Sequence, residues 1–327
     1  MKIRKLSRLI PCLMLAFVHP AQAQQANKVP RIGFLSAGSP SSMAARVEAF
    51  RHGLREHGYV EGQNILVEYR YAEGKLDRLK EFASEMVSLK VDVIVTGGPI
   101  ATRPTKQATN TIPIVTAYES DPVGTGLVAS LARPGGNVTG LTNLSPDLSV
   151  KRLELLKEAI PKLSRVAVFW DPTDPGSPGL LKEVEMAAQS LGLKIQRLEI
   201  RNPNDIEGAF QAATKGRAGA VTTLNSPVIF THRKRVVDLA VKSRLPTIHA
   251  QIEFAEAGGV MVYGPNDADM YRRAATYVDK ILKGAKPSEL PVEQPMKFDF
   301  IINLKTAKQI GLTIPPNVLV RADRVIR

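Results

Sequence analysis

The feature that most restricts how this chain can fold is a β/α pattern that runs through it twice, with equivalent landmarks offset by roughly 130 residues. In the first pass Arg31-Ile32-Gly33-Phe34-Leu35 reads as a strand. Met43, Val47, Phe50 and Leu54 then recur at the spacing of one buried helical face, which Gly58 ends. Ile65 to Tyr71 gives a second strand and Leu76, Leu79, Phe82 and Met86 a second helix; Val91 to Val95, Ile112 to Val115 and Val138 to Leu141 give three more strands. After a helix carrying Leu153, Leu156 and Ile160 the order restarts with a strand at Arg165 to Phe169. A helix through Leu181, Val184, Ala188 and Leu191 ends at Gly192, and strands follow at Ile195 to Ile200, Ala218 to Leu224, Pro246 to Ile248 and Val260 to Val262. Short β-rich runs alternating with amphipathic helices are the signature of parallel sheets covered on both faces.

The fold class expected is therefore α/β: two similar doubly wound parallel-sheet lobes with a ligand cleft between them. A repeat of this length is far longer than the about 20–50 residues of a solenoid unit. About 300 residues also exceed what one core usually organises. The first lobe is expected to take residues 28–144 plus about 265–290, because the helix marked by Met270, Ala274, Tyr277 and Ile281 is long enough to return to it. The second takes 145–264. The tail, 291–327, carries a strand (Phe298 to Ile302), a short helix (Lys305 to Ile310) and a Pro-rich terminus; it is expected to cross back toward the second lobe.

Residues 1–23 read as a secretory signal. Lys2, Arg4, Lys5 and Arg8 precede an apolar run from Leu9 to Val18, and Ala21-Gln22-Ala23 offers a small-residue cleavage site. That run is half the ~20 residues a membrane span needs, so no membrane insertion is expected after cleavage. The single cysteine, Cys12, lies within the signal, which leaves no disulfide or cysteine metal site and suits the periplasm. The formal charge is +13, of which the four signal cations are a part, and the remainder is spread along the chain. With one Trp and no dense basic-aromatic segment, nucleic acid is not an expected partner. The run His232-Arg233-Lys234-Arg235 reads as the solvated first turn of a helix.

In open parallel sheets ligands collect beyond the carboxyl ends of the strands, where helix N-termini supply free N–H groups. In the first half this selects Ser36 and Ala37 after strand one, Gly97, Gly98 and Pro99 after strand three, and Tyr118, Glu119 and Asp121 after strand four. In the second half it selects Asp171, Asn225 and Gln251, with Tyr263 near the rim. Ser36, Gly97 and Gly98 would let a carboxylate approach backbone donors, while Glu119, Asp121 or Asp171 meets an ammonium; the pairing describes a small zwitterion such as an amino acid. Ser, Asp and Gly at such junctions also serve as plain caps and turns, so the weight rests on their matched placement in both halves.

Enzyme readings find little footing. There is no Gly-x-x-x-x-Gly-Lys phosphate loop and no Gly-x-Ser-x-Gly elbow, and His52, His57, His232 and His249 follow no metal-ligand rhythm. No catalytic residue, metal or cofactor is expected.

The run Asp121-Pro122-Val123-Gly124-Thr125-Gly126-Leu127-Val128, continuing through Arg133-Pro134-Gly135-Gly136-Asn137 to Gly140, resembles one family in particular. This is the group of ABC-transporter substrate-binding proteins related to the tryptophan/tyrosine-import binding proteins, which have the type I periplasmic-binding fold. Glu253-Phe254-Ala255-Glu256-Ala257-Gly258-Gly259, Tyr263-Gly264-Pro265-Asn266 and Ile302-Asn303-Leu304-Lys305-Thr306-Ala307-Lys308 carry the likeness further. The resemblance implies lobes joined by three crossovers, a small-molecule ligand at their interface, and delivery by a monomeric protein to an ABC permease and its ATPase. It departs from the family's commoner pattern where Asp171 replaces a frequent Asn and where Asn225-Ser226 replaces an acidic-rich pair. The alternative expectation is a periplasmic sensory protein of the same fold that presents its ligand to a receptor.

Overall fold

The computed structural model describes residues 29–327; the expected signal lies outside them. The first lobe is built from β1 (Arg31–Ser36), α1 (Pro40–Glu56), β2 (Leu66–Tyr71), α2 (Arg78–Ser88), β3 (Val93–Gly97), α3 (Pro99–Ala108), β4 (Ile114–Glu119) and β5 (Val138–Thr142). Its five strands are all parallel in the order β2-β1-β3-β4-β5. The second lobe follows with α4 (Ser145–Ala159), β6 (Arg165–Trp170), α5 (Ser177–Ser190), β7 (Lys194–Glu199), α6 (Asp205–Lys215), β8 (Ala220–Thr223), α7 (Pro227–Thr231) and α8 (Arg233–Lys242). It continues through β9 (Thr247–His249), α9 (Glu253–Glu256) and β10 (Met261–Pro265). The chain then gives α10 (Asp267–Leu282), β11 (Phe298–Asn303), α11 (Leu304–Gln309), α12 (Pro316–Leu319) and β12 (Arg324–Ile326). The second sheet runs β12-β11-β10-β9-β8-β6-β7. Within it, β7-β6-β8-β9-β10 repeats the order of the first sheet, so each lobe reverses its strand order beside its own first strand.

The sequence explains why each sheet is doubly covered. β1 is apolar on both faces, and Ile32, Phe34 and Leu35 are at most 1% exposed, as a central parallel strand requires. One face carries α1 and α10, whose Met43, Val47, Phe50, Leu54, Ala274, Tyr277 and Val278 form a single core. The other carries α2 and α3 through Leu79, Ala83 and Ala101. In the second lobe α4 and α5 pack over one face and α6 and α8 over the other. α1 starts cleanly because Ser39 and Ser42 cap each other reciprocally and Pro40 opens the first turn.

The chain crosses between the lobes three times. It leaves the first sheet after β5, and it returns when α10 docks on α1. It crosses again after Glu293, which bridges to Leu141 before β11 enters the second sheet. After this last crossing β11 runs antiparallel to β10.

Three details differ from the sequence reading. β3 and β4 lie further along the chain than the apolar runs suggest, and β4 reaches Glu119 rather than stopping at Val115. α3 runs through Pro104, whose missing N–H leaves the Ile100 carbonyl without its usual donor. The Pro-rich terminus ends in β12, a three-residue strand too short to show alternation, which pairs with β11 at the sheet edge.

Candidate functional site between the lobes

The carboxyl ends of both sheets face one cleft that encloses about 670 Å³ of atom-free space, its solvent-open part included. The first lobe lines it with Ser36 and Ala37 from the end of β1, Gly97, Gly98 and Pro99 from the β3–α3 junction, and Tyr118 from β4. The second lobe adds Asn225 and Gln251, joined by a 3.1 Å bond from the Gln251 amide to Asn225 Oδ1. Eight of the twelve expected positions thus meet on one surface.

Local geometry makes that surface receptive. Gly98 begins α3 at φ +81° and supplies no side-chain cap; Pro99 has no N–H and the Ala101 and Thr102 N–H groups donate to the Gly98 carbonyl, which leaves Ile100 as the first-turn N–H without an intrahelical acceptor beside the cleft. A Cβ at Gly97 would lie 2.2 Å from the hydroxyl oxygen of Tyr271, which explains why glycine stands where that tyrosine reaches over the strand end. Ser36 Oγ accepts from the Gly38 N–H at 3.1 Å and holds the loop before α1.

Glu119, Asp121, Asp171 and Tyr263 stand outside the lining. Glu119 is the last residue of β4 rather than a loop residue; it is fully buried, and its Oε1 accepts from the Ser120 N–H. Burial first, and then the nearby Asp174 carboxylate, push it well above the ordinary carboxylate range. Asp121 holds the following turn by accepting from the Gly124 N–H at 2.8 Å. Asp171 is spent within its own lobe, with Oδ1 accepting from the Thr173 N–H and hydroxyl and Oδ2 from the Ser226 hydroxyl at 3.0 Å. Tyr263 lies inside β10 and packs on Phe300 with ring centroids 5.9 Å apart.

Several residues that the strand-end rule missed come from helices. Arg46 in α1, Asp267 at the start of α10, Tyr271 one turn later and Phe230 in α7 all line the cleft. Arg46 donates through Nε and Nη2 to Asp267 Oδ2, and its Nη2 lies 3.1 Å from Glu253 Oε1. Its guanidinium also sits 4.2 Å from the centre of the Phe230 ring. Burial alone would lower the pKa of Arg46, but the Asp267 and Glu253 carboxylates more than reverse this and keep it charged. A signal for Arg46 exists in the sequence, since it falls three residues after Met43 and four before Phe50, a cation on an otherwise apolar face.

Asp174 also lines the cleft, where its Oδ1 accepts from the Gly176 N–H, and burial pushes it up to about 7. His249 is a core histidine: it stacks on Phe254 at 3.9 Å, bonds to Thr223, and is held neutral by burial, which lowers it to about 3. Among the described residues no cluster of three or more His, Cys, Asp and Glu can hold a metal, and no helix is long and apolar enough to cross a membrane.

Two matched α/β lobes whose loops share one interior cleft define the class of type I periplasmic binding proteins. Residues 32–326 match the ABC transporter substrate binding protein family, and the chain belongs to it. The family consists of binding proteins rather than enzymes. The tyrosine-binding protein of Clostridioides difficile strain R20291 is 25% identical over 286 residues, which is 87% of this chain and 82% of that one. Among solved structures, an ABC domain from Streptococcus pneumoniae in complex with L-Trp is 26% identical at a TM-score of 0.85, covering 91% of this chain and 99% of that one. The ligand-free, open structure of a substrate-binding protein with adhesive properties from Clostridium difficile is 25% identical with the same coverage, yet its TM-score is 0.67. At nearly equal identity the present structure superposes better on the ligand-bound structure than on the open one.

Proposed function

We propose that this protein is the extracytoplasmic receptor of an ABC importer, exported by its first 23 residues into the periplasm, and that its ligand is an aromatic amino acid. The observation that carries this reading is the composition of the interlobe cleft. Tyr118, Phe230 and Tyr271 offer ring surface alongside Met43 and Ile100, while the Ile100 N–H at the uncapped start of α3 offers a donor suited to a carboxylate. Tyrosine and tryptophan, named for the two relatives above, match that combination. Both walls come from one polypeptide, so a monomer suffices to enclose the ligand. Closure expels water and strengthens each polar contact inside, and the closed form is what a permease with its ATPase would recognise.

Thermal unfolding in the presence of each of the twenty amino acids and of small carboxylates tests the proposal. Tyrosine or tryptophan should stabilise saturably, by about 2.7 kcal/mol at a hundredfold excess over Kd. Stabilisation by none of the amino acids would overturn it.

A further inference from the structure

The lobe-bridging cluster holds one more negative than positive charge. Arg46 faces both Asp267 and Glu253, and the three side chains are 7%, 5% and 13% exposed. Only one oxygen of each carboxylate is engaged by the guanidinium. Asp267 Oδ1 and Glu253 Oε2 are buried without a hydrogen-bond partner among the described residues. Asp299 adds further negative potential at Asp267, and Asn266 occupies one of its oxygens. A buried carboxylate oxygen left unsatisfied is destabilising unless something else completes it. Of the two acids, only Asp267 lines the cleft.

From this geometry we infer that Asp267 is the receptor for a ligand ammonium, its free Oδ1 accepting from the cation while Oδ2 stays fixed by Arg46. This deepens the reading given above and rests on it for the ligand class, but it assigns the polar end of that ligand to a residue of its own. The other acids near the cleft are less suited. Asp171 is saturated by Thr173 and Ser226, Glu119 is fully buried at the end of β4 and outside the cleft lining, and Asp174 already accepts from the Gly176 N–H. Asp267 is also held rigidly at the start of α10, where Asn266 caps the helix through the Asp269 N–H. A fixed acceptor paired on one side only discriminates strongly, because a ligand without the ammonium leaves the oxygen as unsatisfied as before.

Calorimetric titration of the purified protein with matched pairs tests this. L-tryptophan is compared with indole-3-propionate, L-tyrosine with 3-(4-hydroxyphenyl)propionate, and tyramine is added as an amine without the carboxylate. The expected result is a loss of at least about 100-fold in affinity for each acid that lacks the ammonium, with tyramine retaining measurable binding. In Asp267→Asn that ratio should shrink to within about threefold, a change that a general loss of folding would not produce. If the variant fails to fold, the wild-type ratios decide. Binding of the desamino acids within threefold of their parents would overturn the role of Asp267 and leave the aromatic reading standing. Binding of aliphatic amino acids instead of tryptophan and tyrosine would overturn the aromatic reading and support Asp267. Binding of neutral or anionic solutes alone would overturn both.

Discussion

Arg46 of α1 and Glu253 of α9 stand 3.1 Å apart although they belong to different lobes, so opening of the cleft would break this ion pair. Glu253→Gln removes it without orphaning Arg46, which keeps Asp267. A close, largely desolvated charge pair across an interface couples by about 1.5 kcal/mol at the low end of the known range. Because apparent affinity scales with the closed population, Kd should rise about tenfold. Small-angle scattering should show a larger ligand-free radius of gyration than the wild type. Unchanged scattering and affinity would refute the latch.

Gly176 marks a second place where the lobes touch. A Cβ there would lie 3.0 Å from the Ser120 hydroxyl and 3.3 Å from Pro99, both in the opposite lobe. The residue has φ −82°, so a side chain is not resisted by the backbone itself. Gly176→Val should therefore hold the lobes apart, with the ligand-free melting temperature within about 2 °C of wild type and Kd at least about tenfold weaker. A melting temperature lowered by much more, with affinity preserved, would place the effect in the fold of the second lobe instead.

Phe230 joins the ligand wall to the latch, since its ring faces the cleft and lies beneath Arg46. Phe230→Leu keeps the apolar volume and removes the π surface. The loss of ring stacking, about 0.5–1.5 kcal/mol, should appear as a weaker Kd for tryptophan by roughly 2- to 13-fold. Competition between tryptophan and leucine, followed by calorimetry, should show their ratio narrowing; an unaltered ratio would exclude Phe230 as an aromatic contact.

How far these features were legible in the sequence depended on whether the pattern was periodic. The two β/α passes, the ends of α1 and α5 near Gly58 and Gly192, and the strand-end loops follow from hydrophobic spacing and glycine alone. Glu119 was misplaced as a rim residue because β4 runs on past its apolar run, with register shifts at Thr96/Gly97 and between Thr116 and Glu119 that spacing cannot show. Asp171 looked like a ligand contact because its partner Ser226 is 55 residues away and meets it only through the fold. Arg46 and Asp267 are separated by 221 residues, so their pairing required the return of α10 to α1. A lone cation on an apolar helical face was the one local trace.

Asp174 gives the cleft a pH dependence whose sign follows from burial. Its carboxyl is raised from 3.8 to about 7 in the closed structure, chiefly by desolvation. A state with the higher pKa binds more protons, so between about pH 4 and 7 the closed form holds a proton that the open, solvated form has lost. Closure is then favoured on the acid side, and affinity should fall by up to about tenfold per pH unit between about pH 4 and 7 and level off above 7. Glu119, raised by burial and by Asp174, adds in the same direction. Asp267 acts oppositely at the acid end, because protonating it removes the acceptor for an ammonium. Titration from pH 5.5 to 8.5 should therefore give the tightest binding toward the acid end of that range, a decline toward pH 7 and a plateau above it, and Asp174→Asn should flatten the decline. A decline that survives in Asp174→Asn would assign the effect to another group.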